Sequence, residues 1–559
     1  MHTHNSHGKT NIFLIGFIIA TVIFGALTLR NLEMYPTVMA DEYAYSKFSR
    51  LLPLADAIAP SYLYLAIYRA TSICGDGFYD CAKIFNALFF VASAPFIYLT
   101  ARRTCTRNSA SIVALLALLG PINSYTAYYI PEALYFFSFW FLTWFILRLD
   151  HSSSSKSWCF GGLLLGLSAL VKPHALFFLP AIAIYILYVS RKKEGKWVLQ
   201  AFKNASSFIV FSFLSKLLIG YFFAGRAGVT LFGPFYESVA SSTPSDFQHY
   251  LKVLALFTES LKGHTLAICL MFGAPITIAI NTSLNSIFSK TEIQSEQKIS
   301  FYSLAVLVSL ILVAALYTAT TVANAGAALE SIARLHMRYY NFAFPLLLVI
   351  AASQLPLESV TSMYRLKAII AFPIGIAILY AVYTRMTPYW PNFIDSPELR
   401  GFTRIKYAFY VFGGLSFFAL ASWVYSARFS ARIFIYLFMP LAVAYSTTNI
   451  NKDLRVRQKP DVFDEAGIFT KHYLSSEDLS KLVIVGSESI GLFRSLFYLD
   501  NPQSSQETIP KGSSYNLSKL PAGKEWILVI GDHSLSEKPF FQLPMDGFTL
   551  VRVTGTNKH

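Results

Sequence analysis

The sequence has little charge for its length. Only 14% of its 559 residues are charged, whereas 54% are hydrophobic and 16% are aromatic. A soluble chain of this size would form several domains and would need far more charged surface to cover them. The composition therefore excludes an ordinary soluble protein and predicts a protein built from membrane-spanning helices.

Acidic residues are the scarcer of the two charged classes. The chain has 31 Asp and Glu against 46 Lys and Arg, which gives a formal net charge of +15. An excess of this kind is typical of nucleic-acid binding, but here the basic residues gather in short loops between apolar blocks. That placement orients membrane helices, so we predict a lipid bilayer as partner and no nucleic acid.

Cysteine is rare, and several common motifs are missing from the sequence. The five cysteines show no zinc-type spacing, and there is neither a Walker loop nor a glycine-rich dinucleotide fingerprint. The sequence therefore gives no support for an ATP-driven pump. Cys74 and Cys81 share the first predicted outer loop, where an oxidising compartment would permit a disulfide.

The apolar residues come in blocks of helix length, separated by basic clusters, Pro and Gly. These blocks predict about thirteen transmembrane helices, the third running from about Ser109 to Tyr125. The first block is read as a retained helix because Arg30 and Glu33 follow it, not a small-residue cleavage site. The positive-inside rule then places the N-terminus inside and the C-terminus outside. We expect a multi-pass protein of the cell inner (plasma) membrane.

A change of composition near residue 450 predicts two domains. Residues 1–450 form the predicted transmembrane domain, and residues 451–559 form a soluble extracytoplasmic domain. Within the latter, Leu482–Val485 and Trp526–Ile530 are predicted as buried strands because they are short apolar runs followed by Gly and Ser. The fold class is thus an α-helical polytopic membrane protein with a small C-terminal α/β domain.

Candidate chemistry lies among polar residues at the predicted outer membrane face, where ionisable groups often mark function. Asp41, Glu42 and Tyr43 follow the first helix, and a carboxylate there can act as a general base. A solvated acidic pair is the alternative. Glu132 follows Pro131 and can bind an acceptor or a cation, or it can simply complement the dipole at a helix N-terminus.

Cations occur on the same predicted face. Lys172 and His174 flank a proline, and a cation there can hold a lipid phosphate, although lysine snorkelling also explains the position. A further cluster combines arginines, whose planar donors suit phosphate oxygens, with residues also common in an interfacial aromatic belt. Its members are Glu330, Arg334, His336, Arg338, Tyr339 and Tyr340.

Four short motifs occur in order along this face. They are Ala-Asp-Glu-Tyr (Ala40 to Tyr43), Pro-Glu (Pro131 and Glu132), Val-Lys-Pro-His-Ala (Val171 to Ala175) and Arg-Leu-His-Met-Arg-Tyr-Tyr (Arg334 to Tyr340). With the topology, they resemble the GT-C superfamily of polyprenyl-phosphate-sugar-dependent glycosyltransferases. That superfamily includes lipid A aminoarabinose transferases, protein O-mannosyltransferases and mycobacterial arabinofuranosyltransferases. The resemblance covers the membrane part and identifies no subfamily.

The resemblance implies an inverting glycosyl transfer from a polyprenyl-phosphate sugar donor to a glycan, lipid or protein acceptor of the envelope. It implies Asp41 as the catalytic base, with Glu42 as the alternative, and Tyr43 and Glu132 as acceptor-binding residues. The residues expected to bind the donor phosphate are Lys172, His174, Arg334, His336, Arg338 and Tyr339.

Two further questions stay open at the level of sequence. The first is whether the protein binds a divalent cation. Glu132, His249 and His264 are candidate ligands, but their spacing is not diagnostic. The other is the class of protein. A transporter or flippase of a lipid-linked saccharide would also need cations near phosphate, and deep ionisable residues or an inverted repeat would favour it. An assembly scaffold would make Asp41 dispensable.

Overall fold

The computed structural model describes residues 6–191, 197–234, 246–289, 292–325, 330–356 and 364–553. Within these ranges, nine helices are long and apolar enough to cross a membrane, or ten if one bent pair is counted as a single span. The first helix, Ser6–Asn31, is continuous through its apolar window. The predicted polytopic helical fold is confirmed, and the chain is a multi-pass membrane protein.

The α-helices of the membrane part have the following bounds: Ser6–Asn31, Met39–Ser46, Tyr62–Tyr68, Phe78–Ala92, Ala94–Ala101, Arg107–Leu119, Glu132–Arg148, Ser155–Val171, Phe178–Ser190, Trp197–Ala224, Phe247–Phe288, Ser295–Ala325, Phe344–Ser353, Tyr364–Thr384, Pro397–Thr403, Lys406–Tyr425, Ala427–Arg432 and Met439–Arg455. Several apolar helices, including Ser155–Val171, are shorter than 18 residues. The count of thirteen spans therefore stays a prediction.

The predicted third helix is wrong in one respect, because it is not a single helix from Ser109 to Tyr125. The structure has Arg107–Leu119 followed by a 3-10 segment, Pro121–Ala127, bent by 49° from it. Gly120 between them is extended, and Pro121 has no N–H to continue the helical ladder. The bend turns the chain toward Glu132, one of the predicted site residues.

The C-terminal domain is an α/β unit. Its helices are Val462–Tyr473, Ser476–Ser480 and Ser489–Leu499. Its strands are β1 (Leu482–Gly486), β2 (Ser505–Thr508), β3 (Ser514–Tyr515), β4 (Trp526–Ile530), β5 (Ser534–Leu535), β6 (Phe541–Met545) and β7 (Phe548–Arg552). Five of the strands form a sheet in the order β2-β1-β4-β7-β6, and β3 pairs with β5.

The two predicted strands, β1 and β4, are confirmed and lie side by side in the sheet. They are parallel, β1 is also parallel to β2, and β4 is antiparallel to β7. Every residue of β1 and β4 is buried, which is why both read as continuous apolar runs. The helix Met439–Arg455 runs through the predicted domain boundary at residue 450, so that boundary stays a prediction.

The C-terminal domain packs on the segment that follows the first helix. The backbone N–H of Tyr35 donates to the carbonyl of Arg457 at 2.9 Å, and the Arg457 side chain donates back to the carbonyl of Pro36 at 3.2 Å. Cys74 and Cys81 form a disulfide, and the loop between them carries Asp76, whose carboxylate pairs with Lys471 at 2.6 Å. These contacts fix the first loop against the domain.

Candidate active site

Asp41 lies on the short helix Met39–Ser46, just beyond the first span. Its side chain is 44% exposed, and its Oδ2 atom accepts a hydrogen bond from Nη1 of Arg338 at 3.1 Å. The two residues are almost 300 positions apart in the sequence. The fold therefore brings the first and the last predicted motifs into direct contact.

Arg338 is the centre of a cluster of acidic groups. Its side chain is 17% exposed, and its Nε atom lies 3.5 Å from Oε1 of Glu132 and 3.6 Å from Oδ1 of Asp395. Its backbone N–H donates to the carbonyl oxygen of Asp395 at 2.7 Å. Among the described residues, Nε has no hydrogen-bond partner within good geometry. One guanidinium thus faces three carboxylates and keeps one donor free.

Lys172 and Glu132 form a buried ion pair next to Arg338. The Lys172 ammonium lies 2.9 Å from Oε1 of Glu132, and each side chain is 6% exposed. The ammonium also lies 5.6 Å from the ring centres of Tyr135 and Tyr339. Snorkelling does not describe a lysine that is buried and paired. In the described part of the chain, Oε2 of Glu132 has no hydrogen-bond partner.

The backbone explains why Lys172 leaves its helix at this point. Lys172 follows the helix Ser155–Val171 and is extended, as expected for a residue that precedes proline. The next residues form a 3-10 turn, Pro173–Phe177. This turn places the ring of His174 4.6 Å from that of Tyr339. His174 and Tyr339, both predicted site residues, therefore lie together beside the Lys172 ammonium.

Asp395 is a site residue that the sequence reasoning missed. It is buried, and Nε of Arg334 donates to its Oδ2 at 2.8 Å, while His336 Nδ1 lies 4.0 Å from its Oδ1. Arg334 and His336 also contact Glu330, at 3.2 and 3.5 Å. Burial favours a raised pKa for Asp395, but Arg338, His336 and Arg334 outweigh it and lower that pKa.

A local backbone contact explains how Asp395 reaches the cluster. Trp390 and Arg334 form an isolated parallel bridge, in which the Trp390 N–H donates to the carbonyl of Ala333 at 3.1 Å. This contact holds the proline-rich loop after Thr384 beside the Arg334–Tyr340 motif. An acidic residue in a proline-rich loop was the available signal, and it became informative only once this loop was seen to pair with the Arg334–Tyr340 motif.

Glu42 and Tyr43 do not join the Asp41 cluster. Glu42 is fully buried, and its Oε1 accepts from the Tyr79 hydroxyl at 2.7 Å and the Tyr129 N–H at 2.8 Å. Its Oε2 accepts from two backbone N–H groups, those of Thr37 and Val38, at 2.6 Å each. Burial raises the pKa of Glu42, and these four donors oppose the rise.

The ring of Tyr43 packs against Phe493 of the C-terminal domain, with the ring centres 5.8 Å apart. Tyr43 thus contacts the C-terminal domain, whereas Glu132, the other predicted acceptor-binding residue, pairs with Lys172 and Arg338. Together with the four hydrogen bonds to Glu42, this contact shows that only Asp41 of the acidic motif points into the cluster.

The three candidate metal ligands do not form a ligand set. Glu132 is engaged with Lys172 and Arg338, and Nδ1 of His264 lies 2.8 Å from the Tyr340 hydroxyl. His249 lies near the start of the helix Phe247–Phe288. Among the described residues, no group of three or more His, Cys, Asp or Glu side chains is placed to hold a metal ion. In the described part of the chain, Glu132, His249 and His264 therefore do not together form a cation site.

Comparisons with known proteins give one family match. Residues 60–219 match the model of the dolichyl-phosphate-mannose-protein mannosyltransferase family. No curated protein matches the sequence. Among solved structures, the chain is similar to ArnT from Cupriavidus metallidurans in the apo state, at 12% identity and a TM-score of 0.47, covering 97% of this chain and 98% of that chain.

Two oligosaccharyltransferase structures from Archaeoglobus fulgidus are also similar. One is tethered to an acceptor peptide and has 10% identity and a TM-score of 0.44, covering 92% of this chain and 69% of that chain. The other, AglB with an inhibitory peptide and a dolichol-phosphate, has 11% identity and a TM-score of 0.42, covering 93% and 70%.

The family match includes two of the four motifs on which the resemblance rests. Pro131 and Glu132 fall within residues 60–219, and so does the Val171 to Ala175 motif with Lys172. In the structure Glu132 contacts Arg338, which in turn contacts Asp41, and Lys172 pairs with Glu132. Over residues 60–219, the match confirms the resemblance to membrane-embedded glycosyltransferases that the sequence predicted.

Proposed function

We propose that the protein transfers a sugar from a polyprenyl-phosphate donor to a hydroxyl group of an envelope glycan, lipid or protein. The reaction takes place at the extracytoplasmic face of the inner (plasma) membrane, where the C-terminal domain also lies. One observation carries the proposal: the partly exposed Asp41 carboxylate contacts Arg338, which shares Glu132 with the buried Lys172. A base and two cations thus meet in one site.

The proposed reaction is a direct inverting displacement. Asp41 takes the proton of the acceptor hydroxyl as that oxygen bonds to the anomeric carbon. The bond from the same carbon to the phosphate oxygen breaks, and polyprenyl phosphate leaves with the electron pair. Because a phosphate is a good leaving group, no general acid is required. The protein's contribution is to align the two substrates and to stabilise the departing charge.

Lys172 and Arg338 are the proposed ligands of the donor phosphate. Lys172 is a buried point charge, and the free Nε of Arg338 is a donor that a phosphate oxygen can take up. His174 and Tyr339 line the aromatic wall beside the ammonium. Arg334 and His336 face Asp395 and Glu330, so their proposed part is to hold Asp395, which lies beside Arg338.

Glu132 is the proposed acceptor-binding acid. Its Oε1 is occupied by Lys172, and its Oε2 is available for a sugar or acceptor hydroxyl. Tyr43 was expected to share this role, but because its ring contacts Phe493 we infer that it supports the Asp41 helix instead.

The test is mass spectrometry of envelope glycans and polyprenyl lipids from cells that express the native protein or Asp41→Asn at equal membrane abundance. We expect Asp41→Asn to remove one discrete sugar from an acceptor while a polyprenyl-phosphate sugar accumulates. The mass difference then gives the sugar class. Asp56→Asn is the matched control, because Asp56 is an exposed acid in the same loop. Identical profiles for native and Asp41→Asn would favour a transporter or scaffold.

A further inference from the structure

The helix Ser489–Leu499 of the C-terminal domain packs directly on the helix Met39–Ser46, which carries Asp41. The contact lies on the side opposite to the Arg338 cluster, because Tyr43 faces Phe493 while Asp41 faces Arg338. The proposed base is therefore held from two directions, by the membrane part and by the soluble domain.

A partly buried ion pair joins the segment after the Asp41 helix to the soluble domain. The Arg50 guanidinium makes two hydrogen bonds to the Asp500 carboxylate, one of them from Nη1 to Oδ2 at 3.1 Å. The Arg50 side chain is 4% exposed and stacks 3.4 Å above the ring of Phe78. It also donates to Oγ of Ser46, from Nη2 at 2.9 Å and from Nε at 3.2 Å. Arg50 thus links the last residue of the Asp41 helix to the soluble domain.

Asp500 has an unusual backbone conformation. It ends the helix Ser489–Leu499 in the left-handed region, with φ at 54°. Few residues other than Gly adopt this region, and Asp and Asn are among those that do. The conformation ends the helix immediately beside the Asp41 segment and presents the carboxylate to Arg50.

Aromatic contacts form a second link from the same helix. Phe497 lies 5.2 Å from Phe78 and 5.1 Å from Tyr79, measured between ring centres. The Tyr79 hydroxyl donates to Glu42, the residue next to Asp41. A displacement of the helix Ser489–Leu499 would therefore reach Asp41 through Glu42 as well as through Arg50.

We propose that the C-terminal domain is a positioning clamp for the catalytic base, in which Asp500, Phe493 and Phe497 hold the helix Met39–Ser46 so that Asp41 faces Arg338. The inference rests on the proposed function, since it takes Asp41 to be the base. Arg50 and Asp500 are positioning residues, because neither contacts the Arg338 cluster. An ion pair with one buried and one partly exposed partner contributes little net stability, so fixed geometry is the better account of this one.

The decisive variant is Asp500→Asn in the full-length protein. Asn tolerates the left-handed conformation and has nearly the same shape, so the helix end is kept while the charge is lost. We expect kcat to fall by about 10- to 100-fold, because a small misplacement of a catalytic group has an effect of that size. The KM for the donor should stay within about twofold, since the phosphate ligands are untouched. Asp500→Glu should restore part of kcat.

A second readout does not depend on the reaction. Hydrogen exchange of the amides of residues 41–46 should become faster in Asp500→Asn than in the native protein. Lys481→Gln is the control, because Lys481 makes exposed ion pairs with Glu477 and Glu525 elsewhere in the same domain. It should change neither kcat nor exchange in residues 41–46.

The outcomes separate this inference from the proposed function. If Asp41→Asn keeps native activity, the proposed base is wrong. If Asp41→Asn is inactive but Asp500→Asn has native kcat and native exchange in residues 41–46, the clamp is wrong and the base stands. A loss of kcat that Lys481→Gln shares would also contradict the clamp, because it would report a general effect on the domain.

Discussion

Asp41 and Glu42 are adjacent in the sequence but lie in different surroundings. The Glu42 carboxylate is fully buried and accepts four hydrogen bonds, two on each oxygen. The Asp41 carboxylate is partly exposed, and one arginine contacts it. A carboxylate with all its acceptor capacity used supports the fold, whereas one with free capacity beside a cation can receive a substrate proton. Residue type alone does not separate these two roles.

The largest expected effect comes from removing the charge of the proposed base, Asp41, while keeping its shape. Asp41→Asn should lower kcat by about 100- to 10,000-fold, which is the usual contribution of a general base. The apparent Tm should change little, because Asp41 is partly exposed and makes one ion pair. Initial rates with donor and acceptor, together with thermal unfolding in detergent, would measure both. A large drop in Tm with native kcat would instead mean that Asp41 supports the fold and is not the base.

Glu42→Gln should show the opposite pattern. An amide replaces one carboxylate oxygen by an NH₂ group, so two of the four donors lose their acceptor. Each unsatisfied buried donor costs about 1–3 kcal/mol, which predicts a clear fall in apparent Tm or in the amount of folded protein. The residual folded enzyme should lose much less kcat than Asp41→Asn, because the Asp41 carboxylate is kept. Should its kcat fall as far as that of Asp41→Asn at native Tm, Glu42 would be the base.

Much of the fold was predictable from the sequence because its signals are local. Apolar length and basic clusters predicted the polytopic helical fold, though the number of spans stays a prediction, and short apolar runs predicted β1 and β4 of the small domain. The bend after Leu119 was missed because an apolar block with proline near its end still satisfies a length criterion. Local rules describe helices well but not their interruption.

The candidate site was predictable in its residues but not in its pairing. Glu132, Lys172 and Arg338 were named from separate motifs, and the structure brings them into contact with one another. Asp395 was missed, and Glu42 could not be distinguished from Asp41. Both depend on contacts with distant segments, namely the loop beside Arg334 and the Tyr79 and Tyr129 donors, and such contacts leave no trace in spacing.

Arg338→Lys should have the next largest effect on catalysis. A lysine keeps the charge but loses the planar fork that reaches Asp41, Glu132 and Asp395. We expect kcat/KM for the donor to fall by about 10- to 100-fold, in line with a lost bidentate, charge-assisted contact. Arg334→Lys is the matched control, and it should cost less because Arg334 does not contact Asp41. Equal losses of kcat/KM in the two variants would mean that the contacts of Arg338 with Asp41 and Glu132 are not important for catalysis.

Asp395 and Glu398 are a second pair of acidic residues that are close in the sequence but lie in different surroundings. They are three residues apart, and arginines lower the pKa of Asp395, whereas burial without a cation raises the pKa of Glu398 to about 7. A carboxyl whose pKa is raised on folding stabilises the folded state below its ordinary value near 4.5, and this contribution is lost as the pH rises through 7.

Glu398→Gln tests that difference and has the smallest expected effect. Gln resembles the protonated acid, so the variant should lack this part of the pH dependence. The apparent Tm of the variant minus that of the native protein should increase from pH 5 to pH 8 by a few degrees, since the pKa shift corresponds to about 3 kcal/mol at most. Thermal unfolding in detergent at four pH values would measure the difference. Parallel curves for the two proteins would mean that Glu398 is ionised in the folded state at neutral pH, and that the loop beside Asp395 supplies it with a cation.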